Sequence, residues 1–355
     1  MATLYVASTE RLAGKSAFCI GLARQLQRAG QQVGYMKPVS SGSRLEAGAA
    51  DEDALYFKKA LDLPDTLESI APVNLCPGMF EELLLGASGH NFGLDLQSAF
   101  ARVAQGRDTI LLEAGSNLRE GALVNLAPPQ VSHLLDARDL LVVKYDSDQQ
   151  LMDDALAGKT RFGDSFVGAV LNCVPRQHLR FAEEVAKPAL EKRGIPVFAV
   201  LPLERLLQSV TVGELAESLS GEVLCCQGQM DELVEHVMVG AMTATSALSY
   251  FRQKPNKAVI TGWDRSDIQY AALETSTKCL ILTGNQEPTG GIRRRAEEVG
   301  VPLILVRQDT MAAVEVVERS FGRTRCHHPK KVERFEEMLA DRLDRGRLSA
   351  AIGAA

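Results

Sequence analysis

Short runs of β-branched and apolar residues recur along the chain, and between them lie stretches whose apolar positions repeat with helical spacing. The runs Leu4 to Ala7, Gln32 to Met36, Thr109 to Glu113, Leu140 to Lys144, Phe166 to Asn172 and Val197 to Leu201 read as strands, and Ala17 to Ala29 reads as a helix. This rhythm predicts βαβ units around a mainly parallel sheet, whose strands are covered on both faces and so are apolar throughout. After Leu201-Pro202-Leu203-Glu204-Arg205 the chain turns polar to about Gly221, and a second alternation follows. It predicts a helix from Asp231 to about Leu248, a strand at Lys257 to Thr261, a helix from Ser266, and strands at Cys279 to Thr283 and Pro302 to Val306. The tail from Lys330 reads as an amphipathic helix with Val332, Phe335, Leu339 and Leu343 on one face. Its polar face mixes acids and bases, which fits packing on a domain or a second copy of the chain better than a membrane surface. The expected organisation is α/β: a first domain over 1–214, a smaller α/β domain over 215–330 and a C-terminal amphipathic helix over 331–355.

A chain of 355 residues exceeds what one hydrophobic core usually serves, in keeping with two domains. The formal charge of −6 argues against a nucleic-acid footprint. The first residues lack the pattern of a secretory signal and no apolar run approaches membrane-spanning length, so a cytoplasmic protein is expected. The seven cysteines are scattered, mostly in apolar stretches, as small core residues of a reducing compartment. Cys225-Cys226 and Cys326-His327-His328 offer metal-type ligands, without the paired spacing of a zinc site.

Chemistry concentrates after the first strand. Ser8-Thr9-Glu10-Arg11-Leu12-Ala13-Gly14-Lys15-Ser16 followed by a helix has the strand, loop and helix order of a phosphate loop. In such a loop, backbone N–H groups and a helix N-terminus face one concavity that favours polyphosphate oxygens. Lys15 then serves the β- or γ-phosphate, and the Ser16 hydroxyl a Mg²⁺ ion. The usual first glycine is replaced by Thr9, or by Ser8 in a register one residue longer. Lys37, at the end of the second strand in Lys37-Pro38-Val39-Ser40-Ser41-Gly42, faces the same crevice and suits a phosphate or a carboxylated substrate. The acidic run Asp51-Glu52-Asp53 and Glu113, which ends an apolar strand, supply carboxylates, so that Ser16, Asp53 and Glu113 make a sufficient protein set for Mg²⁺. Asn172 closes another strand and reads equally as a ligand contact or a turn residue. In the second half Asp264, Arg265, Thr283 and Gly284 fall at the ends of strands, the usual place for a ligand crevice. Arg265 there either binds an anion or pairs with Asp264 or Asp267.

These pieces, in this order, resemble the dethiobiotin synthetase group, cobyrinic acid a,c-diamide synthases and the N-terminal domain of long bacterial phosphate acetyltransferases. The Lys37 to Gly42 segment matches the group's Lys-Pro-Val-x-Ser-Gly closely, whereas its Glu-Gly-Ala-Gly-Gly has become Glu113-Ala114-Gly115-Ser116-Asn117. Thr261-Gly262-Trp263-Asp264-Arg265-Ser266-Asp267 with Leu280 to Asn285 and Gly300 to Val306 resembles a DRTGG domain, which accompanies the same unit in phosphate acetyltransferases. The chain is thereby identified with the BioD-like phosphotransacetylase family. That resemblance implies a P-loop fold, ATP with Mg²⁺ as cofactor, an adenine contact at Asn172, and Lys15 and Lys37 as candidate catalytic residues. The acetyl-transferring domain of those enzymes follows the DRTGG domain, so acetyl transfer is not expected of a chain ending at Ala355.

The expected function is an ATP-Mg²⁺-binding regulatory or sensor protein whose DRTGG half takes a second small ligand or a protein partner. The alternatives are an ATP-dependent ligase or carboxylate-activating enzyme, and a scaffold with a relic phosphate loop.

Overall fold

The computed structural model describes residues 1–41, 51–86, 89, 91–322 and 326–354. The chain forms two compact units, Met1–Leu203 with Arg325–Ala355, and Glu204–Thr324.

The first unit is built on a six-stranded sheet in the order Val33–Met36, Thr109–Glu113, Ala2–Ala7, Arg138–Lys144, Phe166–Val174, Val197–Pro202. Every pairing in it is parallel. All six residues of Ala2–Ala7 and all five of Thr109–Glu113 are buried, as the continuous apolar runs require of a sheet covered on both faces. From Ala2–Ala7 the chain first crosses to Val33–Met36 on one side and later to Arg138–Lys144 on the other. The carboxyl end of Ala2–Ala7 is therefore a topological switch point, where open α/β sheets bind ligands. The helix Lys15–Arg28 starts there, the helix predicted from Ala17 onward.

The tail forms two helices, Pro329–Arg342 and Arg345–Ile352, which belong to this first unit. Val332, Phe335, Met338 and Leu339 are buried, each contributing roughly 1.5–3 kcal/mol of apolar burial. The close approach to Lys15–Arg28 depends on Gly21, where an added Cβ would lie 2.7 Å from Leu339 Cδ1. Glu336 pairs with Arg24 at 2.8 Å and Arg28 at 2.6 Å. Leu343, expected on the same apolar face, lies just past the helix end and is half-buried.

The second unit is a five-stranded sheet in the order Glu222–Val223, Leu303–Leu305, Thr277–Thr283, Lys257–Gly262, His236–Val239. The short first strand runs antiparallel and the other pairings are parallel. One face packs Leu280 and Leu282 against Phe251, Ile268 and Ile292, and the other packs Ile260 and Ile281 against Val212, Leu215 and Val317. The helix expected from Asp231 to Leu248 is corrected: Leu233–Val234 and His236–Val239 are strands, and the helix is Ala244–Phe251. The β-branched Val237 and Val239 pair with Ala258 and Ile260 in the ladder, which outweighs the helical spacing of the apolar residues. The two units divide at Leu203 and Glu204, upstream of the expected change at 214/215, because Val210–Thr211 pairs with Leu233–Val234 and Val212 lies in the second unit's core. Among the described residues no helix is long and apolar enough to cross a membrane.

Candidate nucleotide site

The phosphate loop spans the buried Ser8 at the end of the first strand to Gly14, the N-cap of the helix Lys15–Arg28. Gly14 has a left-handed backbone, φ 95°, and a Cβ there would lie 2.3 Å from Asn172 Nδ2. Glycine is thus required twice, for its backbone and for the room. The Asn172 amide donates to the Ala13 carbonyl at 2.8 Å, which fastens the end of Phe166–Val174 to the loop. The helix start carries neither a side-chain cap nor an acidic residue in its first turn, so its N–H groups and dipole favour an anion. Leu12 also has a positive φ, 57°, and with Arg11 is exposed at the loop tip, while Thr9 and Glu10 are half-buried and Ala13 is buried. Glu10 lies 3.8 Å from Lys144.

Behind the loop lies a connected set of charged groups. Lys15 is buried and donates to Ser8 Oγ at 2.8 Å. Burial lowers its ammonium pKa, with Glu113 opposing that shift. Ser16 Oγ donates to Glu113 Oε1 at 2.6 Å, and the buried Tyr35 hydroxyl donates to Glu113 Oε2 at 2.8 Å. Burial and then Asp53 push the Glu113 carboxyl up, against Lys37 and Ser16. Lys37 pairs with Asp51 at 3.0 Å and with Asp53 at 2.5 Å. Burial alone would lower Lys37, yet Asp53, Glu113 and Asp51 hold it above the usual lysine value. Burial would raise Asp53, but the hydrogen bond from His327 and the Lys37 cation hold it well below the usual carboxylate range.

The structure therefore brings Lys15, Ser16, Lys37, Asp53 and Glu113 into one network, with Asn172 on the loop beside it. Ser16, Asp53 and Glu113 carry oxygen donors, the ligand type that Mg²⁺ prefers. Gly42, the last residue of the motif after Lys37, lies outside the described residues. Sequence reasoning missed three participants. Tyr35 reads in the sequence only as part of a strand. Glu120 accepts from Ser116 N and Oγ, and from Ser41 Oγ at 2.6 Å; a Cβ on Gly115 would strike its carboxylate. His327, a metal-type group beside Cys326 and His328 in the sequence, instead contacts Asp53 Oδ1 through Nε2 at 2.9 Å. Among the described residues no group of three or more His, Cys, Asp or Glu side chains is arranged to hold a metal ion by itself. Asp51 had a local signal: it caps the helix Glu52–Ala60, accepting from Ala54 N at 3.0 Å.

In the second unit the four expected residues also lie at strand ends, but with local partners. Arg265 donates to Asp267 at 3.1 Å and to the Met242 carbonyl at 2.7 Å. Thr283 Oγ1 is 2.9 Å from Thr310 Oγ1. Gly284 has φ 98° and leaves room for Trp263, 2.7 Å from where a Cβ would stand. Asp264 packs beside Gly262, where a Cβ would come within 2.5 Å of its carboxylate.

Comparison with known proteins also finds two parts in the chain. Residues 2–211 match the family described as an AAA domain, AAA_26, and residues 214–320 match the DRTGG domain. A phosphate acetyltransferase of Deinococcus radiodurans is 25% identical over 375 aligned positions, covering 100% of this chain and 52% of that protein. One from Pseudomonas putida is 23% identical over 86% of this chain and 45% of its own length. The chain thus spans about half the length of these relatives. An ATP-dependent dethiobiotin synthetase BioD of Methanococcus vannielii is 22% identical over 56% of this chain and 92% of that protein. Among solved structures, the CBS and DRTGG domains of the regulatory region of a Clostridium perfringens pyrophosphatase align at a TM-score of 0.30 and 19% identity, over 44% of this chain and 74% of that one. Because the first match takes in more than half of its residues, the chain belongs to the AAA domain family AAA_26 of P-loop proteins, and it carries a DRTGG domain after that unit.

Proposed function

We propose that this chain is a cytoplasmic ATP- and Mg²⁺-binding regulatory protein, in which the DRTGG domain takes a second small ligand or a protein partner. The observation that carries the reading is the phosphate loop itself: Gly14 at φ 95° against Asn172, an uncapped helix start, and Lys15 and Ser16 at its first positions. Lys15 would exchange Ser8 for the β- or γ-phosphate, and Ser16, Asp53 and Glu113 would hold Mg²⁺. When bound, the ion neutralises phosphate charge and fixes the orientation of the polyphosphate. The dethiobiotin synthetase relatives, whose name includes ATP dependence, support ATP as the nucleotide. Regulation follows if nucleotide binding favours one of two arrangements of the chain, which requires different affinities for the two.

Titration calorimetry of the wild type and Lys15→Ala with ATP and Mg²⁺ tests the site. Loss of the charge-assisted contact is expected to weaken binding by about 100-fold, or about 2.7 kcal/mol. Equal affinity in the two proteins sinks the assignment.

The second reading, ATP-dependent activation of a carboxylate, draws on the meeting of Lys15, Ser16, Lys37, Asp53 and Glu113 in one network. It requires Lys37 to leave both Asp51 and Asp53, its present partners. ADP release with a carboxylated metabolite is its signature.

A further inference from the structure

His327 stands outside the phosphate-loop motif and every strand end, yet it reaches the centre of the site. The chain leaves the first unit at Leu203 and rejoins it at Arg325, so the segment carrying His327 is where the polypeptide returns from the DRTGG-bearing unit. His327 Nε2 donates to Asp53 Oδ1 at 2.9 Å, and its ring stacks on Tyr56 with centroids 4.3 Å apart and planes 13° apart. Asp53 Oδ2 is taken by Lys37 at 2.5 Å. Both oxygens of a candidate Mg²⁺ ligand are therefore already engaged.

The two donors are not equally able to yield. Lys37 has a second carboxylate at hand, Asp51 at 3.0 Å, and Asp51 is fixed by capping a helix. Lys37 can give up Asp53 with its charge still paired. Among the described residues, Asp53 is the hydrogen-bond partner of His327, and only the stack on Tyr56 would remain to seat it. A hard cation that takes Asp53 Oδ1 would thus free the short stretch carrying His327, while the helix Pro329–Arg342 behind it stays seated by Val332, Phe335 and Leu339.

We propose that His327 is a latch on Asp53: seating of the segment that returns from the second unit and binding of a nucleotide with its Mg²⁺ compete for the same carboxylate. This rests on the nucleotide reading above and adds its regulation. Competition is reciprocal, so whatever holds the return segment down weakens metal-nucleotide binding, and metal-nucleotide binding loosens the segment by the same factor.

The experiment titrates the full chain with ATP, once with Mg²⁺ and once with a chelator, in the wild type, His327→Ala and His327→Gln. The latch predicts that His327→Ala binds ATP with Mg²⁺ about tenfold more tightly, an effect of about 1.4 kcal/mol, and ATP without Mg²⁺ as the wild type does. His327→Gln keeps a donor in reach of Asp53 and should stay near the wild type. A second readout needs no substitution: alkylation of the half-buried Cys326, beside His327, followed by peptide mapping. Its rate should rise when ATP and Mg²⁺ are added together and not with ATP alone. Unchanged or weaker Mg²⁺-ATP binding by His327→Ala, or a Cys326 rate indifferent to Mg²⁺-ATP, overturns the latch while leaving the nucleotide site standing. Failure of both wild type and His327→Ala to bind ATP overturns the nucleotide reading, and the latch with it.

Discussion

Lys37 in the first unit and Lys257 in the second both sit at a strand end with little of the side chain in water, and the two lysines are driven in opposite directions. Lys37, in the first unit, lies between Asp51 and Asp53 with Glu113 close by, and these acids hold its pKa above the usual value despite burial. Lys257, in the second, opens the strand Lys257–Gly262, is fully buried, and donates to the carbonyl of Ser276 at 3.0 Å. Burial pushes its pKa down to about 8. The same desolvation acts on both side chains, so the surrounding carboxylates decide the outcome. The first unit has assembled charge against charge where a polyanion and a cation are expected. The second has buried a cation in a largely apolar setting, where its charge is a burden on folding.

The strongest way to break this comparison is Lys37→Met. It leaves the buried Asp51 and the half-buried Asp53 beside each other without their cation, and removing one partner of a buried pair costs about 3–5 kcal/mol. Calorimetry should show the melting of the first unit fall by roughly 10 °C. Because the folded pKa of Lys37 is raised, its contribution is fully present below about pH 10.4, so the deficit should be the same at pH 6 and pH 8. A loss below about 2 °C would mean that the acids find water or other donors and that the network is looser than its distances imply.

How far each region was legible in the sequence depends on the same contrast between local and distant partners. Local signals carried the strands from Leu4 to Leu201, the Gly14-Lys15-Ser16 loop and Lys37, because a strand end and a helix start constrain the residues beside them over a short stretch. They failed for His236–Val239, where three or four apolar residues suit a strand or a helix and only pairing with Lys257–Gly262 decides. They also failed for Glu120 and His327, whose positions depend on a loop closing over Gly115 and on a tail returning to Asp53. Nothing in the spacing of residues 53 and 327 encodes their contact. Lys257 likewise looks like an ordinary strand residue in the sequence, since burial of a terminal lysine depends on what packs beyond the strand.

A middle-sized effect is expected from Lys257→Met, with the opposite sign. Replacing a buried cation that has no ion-pair partner among the described residues by an apolar chain of similar length removes the desolvation cost, offset in part by the lost bond to Ser276. The variant should be more stable by about 1–2 kcal/mol at pH 7. Between about pH 8 and the unfolded lysine value near 10.4, the unfolded chain binds a proton that the folded chain does not. Wild-type stability therefore rises with pH across that window, and the advantage of the variant should shrink there. Chemical denaturation at pH 7 and pH 10 reads both parts. A variant less stable than the wild type at pH 7 would show that the Ser276 bond outweighs burial and that the contrast with Lys37 is one of degree.

The smallest effect is expected at Arg265, the cation at the second unit's candidate ligand site. Its partner Asp267 lies two residues away and both side chains reach solvent, with 37% and 49% of their area exposed. Exposed pairs of this kind contribute about 0–1 kcal/mol, because water solvates the separated charges nearly as well. The hydrogen bond to the Met242 carbonyl at 2.7 Å adds a contact of the same modest order. Arg265→Ala should therefore lower the stability of the second unit by no more than about 1 kcal/mol in a urea titration at about 0.15 M salt. A guanidinium that costs so little to remove is free to exchange Asp267 for an anionic ligand, unlike Lys37 in its buried pairs. A larger loss would mean that Arg265 is a structural pin between the strand end at Gly262 and the chain at Met242, and the ligand site of this unit would have to be sought at Thr283 and Thr310 instead.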